Sequence, residues 1–132
     1  MINYEDLARS NDSFIEELEK AASRVIRSGW YILGEEVRAF EDEFASFVGT
    51  KHCIGVGNGL DALILSIEAL ELPKSSEILV ASNTYIATIL AIVRCGYKPV
   101  LVEPDMETYN IDPNQLFECL TDQTRAICVT HL

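Results

Sequence analysis

Two short stretches carry the residue types and spacing that chemistry on a bound anion needs. The first is Gly55-Val56-Gly57-Asn58-Gly59-Leu60-Asp61-Ala62-Leu63, set between an apolar run and a helical pattern. Glycines there let the backbone approach a ligand, and the free N–H groups at a helix start favour an anion, with phosphate the obvious candidate. The segment is not a P-loop, since no Lys-Ser/Thr pair follows, and Leu60 occupies the last position of a Gly-x-Gly-x-x-Gly pattern. A tight connection with no ligand accounts for the same glycines. The second stretch, Ser82-Asn83-Thr84-Tyr85-Ile86-Ala87-Thr88, again follows an apolar run and opens a helix. Both therefore fall at strand ends, where ligands of open α/β sheets bind. If Tyr85 projects into that crevice, its ring can stack on a flat heteroaromatic ligand, with the Thr84 or Ser82 hydroxyl beside it. A packed or capping tyrosine is the plainer alternative.

Other chemistry-bearing residues find simpler explanations. In the turn-rich link from Val102 to Pro113, Asp105 and Asp112 are read as turn and capping residues rather than an acid/base pair. His52 and His131 have no identifiable partner. Ser66, Ser75 and Ser76 lack a nucleophile-elbow context. Cys53, Cys95, Cys119 and Cys128 have no CxxC spacing and lie in or beside apolar segments, so buried reduced thiols are expected, with neither a metal site nor a disulfide framework. Asn11-Asp12-Ser13 matches a glycosylation sequon but is read as a helix cap. A formal charge of −11 argues against a nucleic-acid partner, which would need clustered Lys and Arg.

The elements that must position these residues follow from periodicity. Ser13 and Glu16 form a capping-box pattern ahead of Phe14, Leu18, Ala21 and Val25, predicting a helix from Ser13 to Arg27 that Gly29 ends. Trp30-Tyr31-Ile32-Leu33-Gly34 is an aromatic connector. Val37, Phe40, Phe44 and Phe47 mark a second amphipathic helix up to Gly49, with Glu35, Glu36, Glu41, Asp42 and Glu43 largely on its wet side. Residues 1–50 are thus read as an N-terminal helical arm and 51–132 as a partial α/β domain. In the latter, strands are predicted over Cys53–Val56, Ile78–Ala81, Val100–Val102 and Ala126–Val129. Helices are predicted over Leu60–Leu70, Thr84–Cys95 and Pro113–Leu120, the last capped by Asp112. Continuous apolar strands imply a sheet covered on both faces. With 48% hydrophobic residues in 132, the composition is that of a globular protein. No stretch is long enough to span a membrane and the start lacks a secretory pattern, so a cytoplasmic location and no membrane partner are expected. The chain closes on Thr130-His131-Leu132 directly after a predicted strand, which leads us to expect a larger parent or a second polypeptide.

Several of these segments in order resemble one family. They are Ser28-Gly29-Trp30-Tyr31-Ile32-Leu33-Gly34, Phe40-Glu41, Gly57-Asn58-Gly59-Leu60-Asp61-Ala62-Leu63, Glu77-Ile78-Leu79-Val80, Ser82 to Thr88, Pro99-Val100, Asp105 with Asn110-Ile111-Asp112-Pro113, and Thr124-Arg125-Ala126-Ile127 running to Leu132. Their spacing is similar to the N-terminal third of the DegT/DnrJ-type sugar-nucleotide aminotransferases. The resemblance implies an α/β fold, the first part of the large domain of a fold-type-I aminotransferase. It also implies a homodimer with active sites at the subunit interface, and pyridoxal 5'-phosphate as cofactor. Backbone amides of Gly59, Leu60 and Asp61 would hold the phosphate and Tyr85 would stack on the pyridine ring. Asn58 and Thr84 would line the same site, and Tyr31 would approach the sugar nucleotide.

The Trp-Tyr-Ile-Leu-Gly, Asn-Thr-Tyr-Ile-Ala-Thr and Glu-Pro-Asp forms look most like the branch that aminates C3 of a dTDP-linked 3-keto-6-deoxyhexose, with glutamate as donor. The family's ring-nitrogen aspartate and cofactor-bonding lysine lie beyond the position of Leu132. Lys20, Lys51, Lys74 and Lys98 match no such lysine, so this polypeptide alone is expected to have no transaminase activity. Leu72-Pro73-Lys74-Ser75-Ser76-Glu77 departs from the family in lacking a Gly-Asp before its strand. Two other readings compete. One is a nucleotide-binding domain of an oxidoreductase, which needs an acid at the end of a second strand. The other is a non-catalytic aminotransferase half.

Overall fold

A computed structural model describes residues 4–131. Met1, Ile2, Asn3 and Leu132, which entered the readings of the two chain ends, lie outside the described residues. The chain divides into two compact units, Met1–Gly55 and Val56–Leu132.

The first unit is helical: α1 (Leu7–Asn11), a 3-10 turn (Asp12–Phe14), α2 (Ile15–Ser28) and α3 (Glu35–Val48). The predicted start of α2 is corrected. Asp6 caps α1 by accepting the Arg9 amide at 3.1 Å. Ser13 lies inside the 3-10 turn, and neither Asn11 nor Phe14 makes a side-chain cap. The cause is α1, which delivers an already helical backbone at Asp12 and leaves no extended residue to act as cap. The predicted ends hold. Gly29 and Gly49 close α2 and α3 at φ 70° and 81°, where a side chain would be strained. Arg24 grips Glu36 by donating from Nε and Nη2, at 2.7 and 3.1 Å, and so ties α2 to α3. Glu41 is not simply solvated: its Oε1 accepts the Gly55 amide at 2.7 Å.

The second unit runs α4 (Gly59–Glu68), β1 (Glu77–Ala81), α5 (Ile86–Arg94), β2 (Lys98–Val102), α6 (Pro113–Glu118) and β3 (Thr124–Cys128). Its three strands are parallel in the order β2-β1-β3. Every residue of β1 is buried, as the apolar run Ile78–Ala81 demands and with the acid Glu77 at its head. Leu60, Leu63, Ile64 and Ile67 on α4 recur at helical spacing and join Ala91 and Ile92 of α5 in one core with Ile78 and Val80. Burying side chains of this size contributes about 1.5–3 kcal/mol each.

Three expectations fail here. Cys53–Val56 forms no strand and pairs with none among the described residues. The sheet is not covered on both faces along its edges, where Leu101 and Ile127 keep 53% and 46% of their surface exposed. The four cysteines are free, as expected, but half-buried rather than buried. Burial still pushes the Cys95 and Cys128 thiols up from their ordinary range.

Asp112 caps α6 as predicted, accepting the Asn114 amide at 2.8 Å with Pro113 at the first helical position. Asp105 is likewise a turn residue. Its Oδ1 accepts the Thr108 amide at 2.8 Å, the Thr108 hydroxyl at 3.0 Å and the Glu107 amide at 3.1 Å. Those donors, Thr108 foremost, hold its carboxyl below the usual range.

Candidate functional site

Asn58 decides the shape of the α4 start. Its backbone is extended at φ −166°, and its Oδ1 accepts the Asp61 amide at 3.0 Å, which satisfies one of the helix's orphan donors. Its Nδ2 donates to Asp61 Oδ2 at 2.9 Å, so the carboxylate is held against the cap. The Ala62 amide closes on the Asn58 carbonyl at 3.2 Å. Gly59 and Leu60 are then left with amides that meet no acceptor among the described residues. A Cβ built on Gly59 would touch nothing within 4 Å, so the space beside Gly59 is open. Two unpaired N–H groups at the positive end of a ten-residue helix suit a phosphate. The Asp61 amide, expected to share that task, is already engaged by Asn58.

The start of α5 stands beside the start of α4. Asn58, Gly59 and Leu60 line one cavity of about 760 Å³ together with Tyr85, Ile86 and Thr88. Tyr85 is the N-cap of α5, with an extended backbone (φ −63°, ψ 140°), and 78% of its surface is exposed, so its ring is not a core side chain. Among the described residues no charged side chain lines this cavity. An anion there would be held by main-chain amides, and a planar ring by an aromatic face and apolar walls.

Thr84 is near but differently employed. Its Oγ1 bonds the hydroxyls of Thr88 at 3.0 Å and Thr130 at 2.9 Å, and it does not line the cavity. Tyr31 belongs to the first unit, where its hydroxyl donates to the Ile26 carbonyl at 3.0 Å and it lines a cavity of about 150 Å³ with Arg24, Trp30 and Gly34.

None of the four lysines lines the 760 Å³ cavity. Lys98 reaches Glu77 at 2.8 Å and Lys20 reaches Glu16 at 3.7 Å. Sequence reasoning did not single out Thr88, which is buried on the cavity wall, or Thr130; the only signal was the hydroxyl four residues after Thr84. Among the described residues no group of three His, Cys, Asp or Glu could hold a metal ion, and no helix is long and apolar enough to cross a membrane.

The order of glycine turn, aromatic turn and parallel strands is shared with known proteins. The model of the DegT/DnrJ/EryC1/StrS aminotransferase family matches residues 12–132. The chain belongs to this family. It is 54% identical to a dTDP-3-amino-3,6-dideoxy-alpha-D-galactopyranose transaminase of Aneurinibacillus thermoaerophilus, over all of this chain and 36% of that protein. That is the branch the sequence resembles. Among solved structures, DesV of S. venezuelae superposes with a TM-score of 0.93 at 38% identity, over 99% of this chain and 35% of DesV. GDP-4-keto-6-deoxy-D-mannose-3-dehydratase of E. coli, solved with bound hydrated pyridoxal phosphate, gives 0.78 at 33% identity, over 84% of this chain and 30% of its own.

This family member therefore spans about a third of the length of the relatives it matches. Membership also disposes of the oxidoreductase reading. Glu103 does follow β2 directly, but it accepts from the Ser82 hydroxyl at 3.4 Å. The glycine turn, moreover, opens α4 ahead of the sheet rather than after a paired strand.

Proposed function

We propose that this chain supplies the phosphate-gripping and ring-stacking part of a pyridoxal-phosphate site in an enzyme of deoxyamino-sugar synthesis. The enzyme moves an amino group, from glutamate, onto a dTDP-linked keto sugar. The observation that carries the reading is that Gly59 and Leu60, whose amides have no acceptor among the described residues, line the same cavity as the exposed Tyr85. The Gly59 and Leu60 amides take the phosphate and Tyr85 lies against the pyridine ring. Asn58 holds the helix start open and Asp61 braces Asn58. Thr84 shapes the Tyr85 junction. When bound, pyridoxal phosphate acts as the electron sink of the amino transfer. Tyr31 faces the sugar nucleotide, and the working enzyme is a cytoplasmic homodimer.

This polypeptide by itself holds the cofactor only reversibly and does not transaminate, because none of its lysines lines the cavity. A pyridoxal-phosphate titration of the chain, read by absorbance and followed by borohydride reduction and mass spectrometry, tests both halves. Reversible saturation is expected, weakened about 3- to 10-fold by Tyr85→Ala, the worth of one aromatic stack. Binding untouched by Tyr85→Ala would sink the stacking role. A stoichiometric reduced adduct on Lys20, Lys51, Lys74 or Lys98 would refute the claim about the lysines.

A further inference from the structure

We infer that Thr130, two residues beyond β3, is a positioning residue for Tyr85 that acts through a chain of three hydroxyls. Thr84 Oγ1 sits between Thr88 Oγ1 at 3.0 Å and Thr130 Oγ1 at 2.9 Å. A hydroxyl has one proton to give, and Thr84 gives its proton to Thr88. Thr130 must then donate to Thr84, which fixes the order Thr130, Thr84, Thr88. The first link joins residues 46 apart in sequence. The chain ends on Thr88, buried on the wall of the cavity that Tyr85 shares.

The rest of the junction is anchored from the other direction. The Ser82 amide donates to the Val102 carbonyl at 2.9 Å, and Asn83 Nδ2 donates to the Tyr109 carbonyl at 2.9 Å. Each residue between β1 and Tyr85 is thus tied to a neighbouring segment, Ser82 and Asn83 toward the β2 side and Thr84 toward the β3 side. Among the described residues, the Thr130 hydroxyl is the only side-chain tie that reaches this junction from β3. The Tyr85 backbone is fixed at both ends while its ring stays open to the cavity. A backbone held this way leaves only the rotations of the ring itself to be ordered when a flat ligand arrives.

The inference rests on the reading that Tyr85 stacks on the cofactor, and two measurements separate their failures. The first needs no cofactor. Thr130→Val keeps the shape and removes the donor, so amide hydrogen exchange at Thr84 and Thr88 should quicken about five-fold, the worth of one hydroxyl hydrogen bond. Thr130→Ser should restore the original rates, with Ile78–Val80 amides unchanged in both variants. Unchanged exchange at Thr84 and Thr88, or equal acceleration across β1, would overturn the inference whatever Tyr85 does.

The second is a pyridoxal-phosphate titration of Thr130→Val, Tyr85→Ala and the double variant. Thr130→Val should weaken binding several-fold when Tyr85 is present and have no further effect in the Tyr85→Ala background. If Tyr85→Ala weakens binding but Thr130→Val costs the same in both backgrounds, Thr130 does not act through Tyr85. If Tyr85→Ala changes nothing, the stacking reading and this inference fall together.

Discussion

In the proposed site, Asn58 sets the binding surface without necessarily touching what binds. By taking the Asp61 amide it satisfies one donor of the α4 start, and by donating to the Asp61 carboxylate it holds a negative charge that would otherwise be free to face an incoming phosphate. Asn58→Ala removes both effects. It should cost about 1 kcal/mol of stability, the usual price of a lost N-cap, read as a lower urea midpoint. Phosphate binding should weaken as well, because the freed carboxylate competes for the same amides. Asn58→Asp separates the two: it restores the cap and the urea midpoint but brings a second charge, so binding should stay weak. If Asn58→Asp binds phosphate as the unaltered chain does, electrostatic steering by the cap is not what this residue provides.

At the scale of elements, what was legible in the sequence was what local physics decides. β1, β2 and β3 lie within two residues of their predicted bounds, because uninterrupted apolar runs bounded by turn residues have few other solutions. The ends at Gly29 and Gly49 and the Asp112–Pro113 start were equally legible, since each needs a backbone that few residues adopt. Ser13 was not, because a capping-box pattern says nothing about whether the backbone arrives extended, and here α1 arrives helical. Cys53–Val56 reads as a strand but pairs with none among the described residues, and pairing is a tertiary fact.

In the site, glycines and an aromatic residue marked both helix starts. The Thr130–Thr84 bond was illegible, since nothing local links residues 46 apart. The same local logic gives a prediction for α3. Gly49 sits at φ 81° with nothing within 4 Å of a built Cβ, so Gly49→Ala meets strain but no clash. It should destabilise by about 1 kcal/mol, whereas Gly49→Asn, which tolerates the left-handed region better, should lose less. Equal thermal midpoints for the two variants would show that α3 does not depend on that cap.

In the second unit one buried acid reaches all three strands. Glu77 opens the central strand with only 5% of its surface exposed, and its two oxygens reach in different directions. Oε1 accepts from Lys98 at the start of β2 at 2.8 Å, and Oε2 accepts from the Thr121 hydroxyl just before β3 at 2.6 Å. The Glu77 amide adds a bond to the Gln123 carbonyl at 2.9 Å. All three strands are thereby pinned at the end opposite the cavity, next to the register shift between Glu77 and Ile78 on the β3 side, while Thr84 and Thr130 meet at the other end. The Lys98 hydrogen bond, then that of Thr121, hold the Glu77 carboxyl below the ordinary glutamate range.

A carboxyl depressed in the folded chain stabilises fully above its unfolded value, and that contribution disappears as pH falls through the lower, folded value. Glu77→Gln cannot titrate and loses the ion pair, so it should be less stable than the parent chain at neutral pH. The gap between the two should hold steady on descending to the ordinary carboxylate range and close progressively below it. Urea midpoints measured across that range check the sign. A gap that widens on acidification, or that is already absent at neutral pH, would mean that the acid at the head of β1 is not what holds the three strands in register.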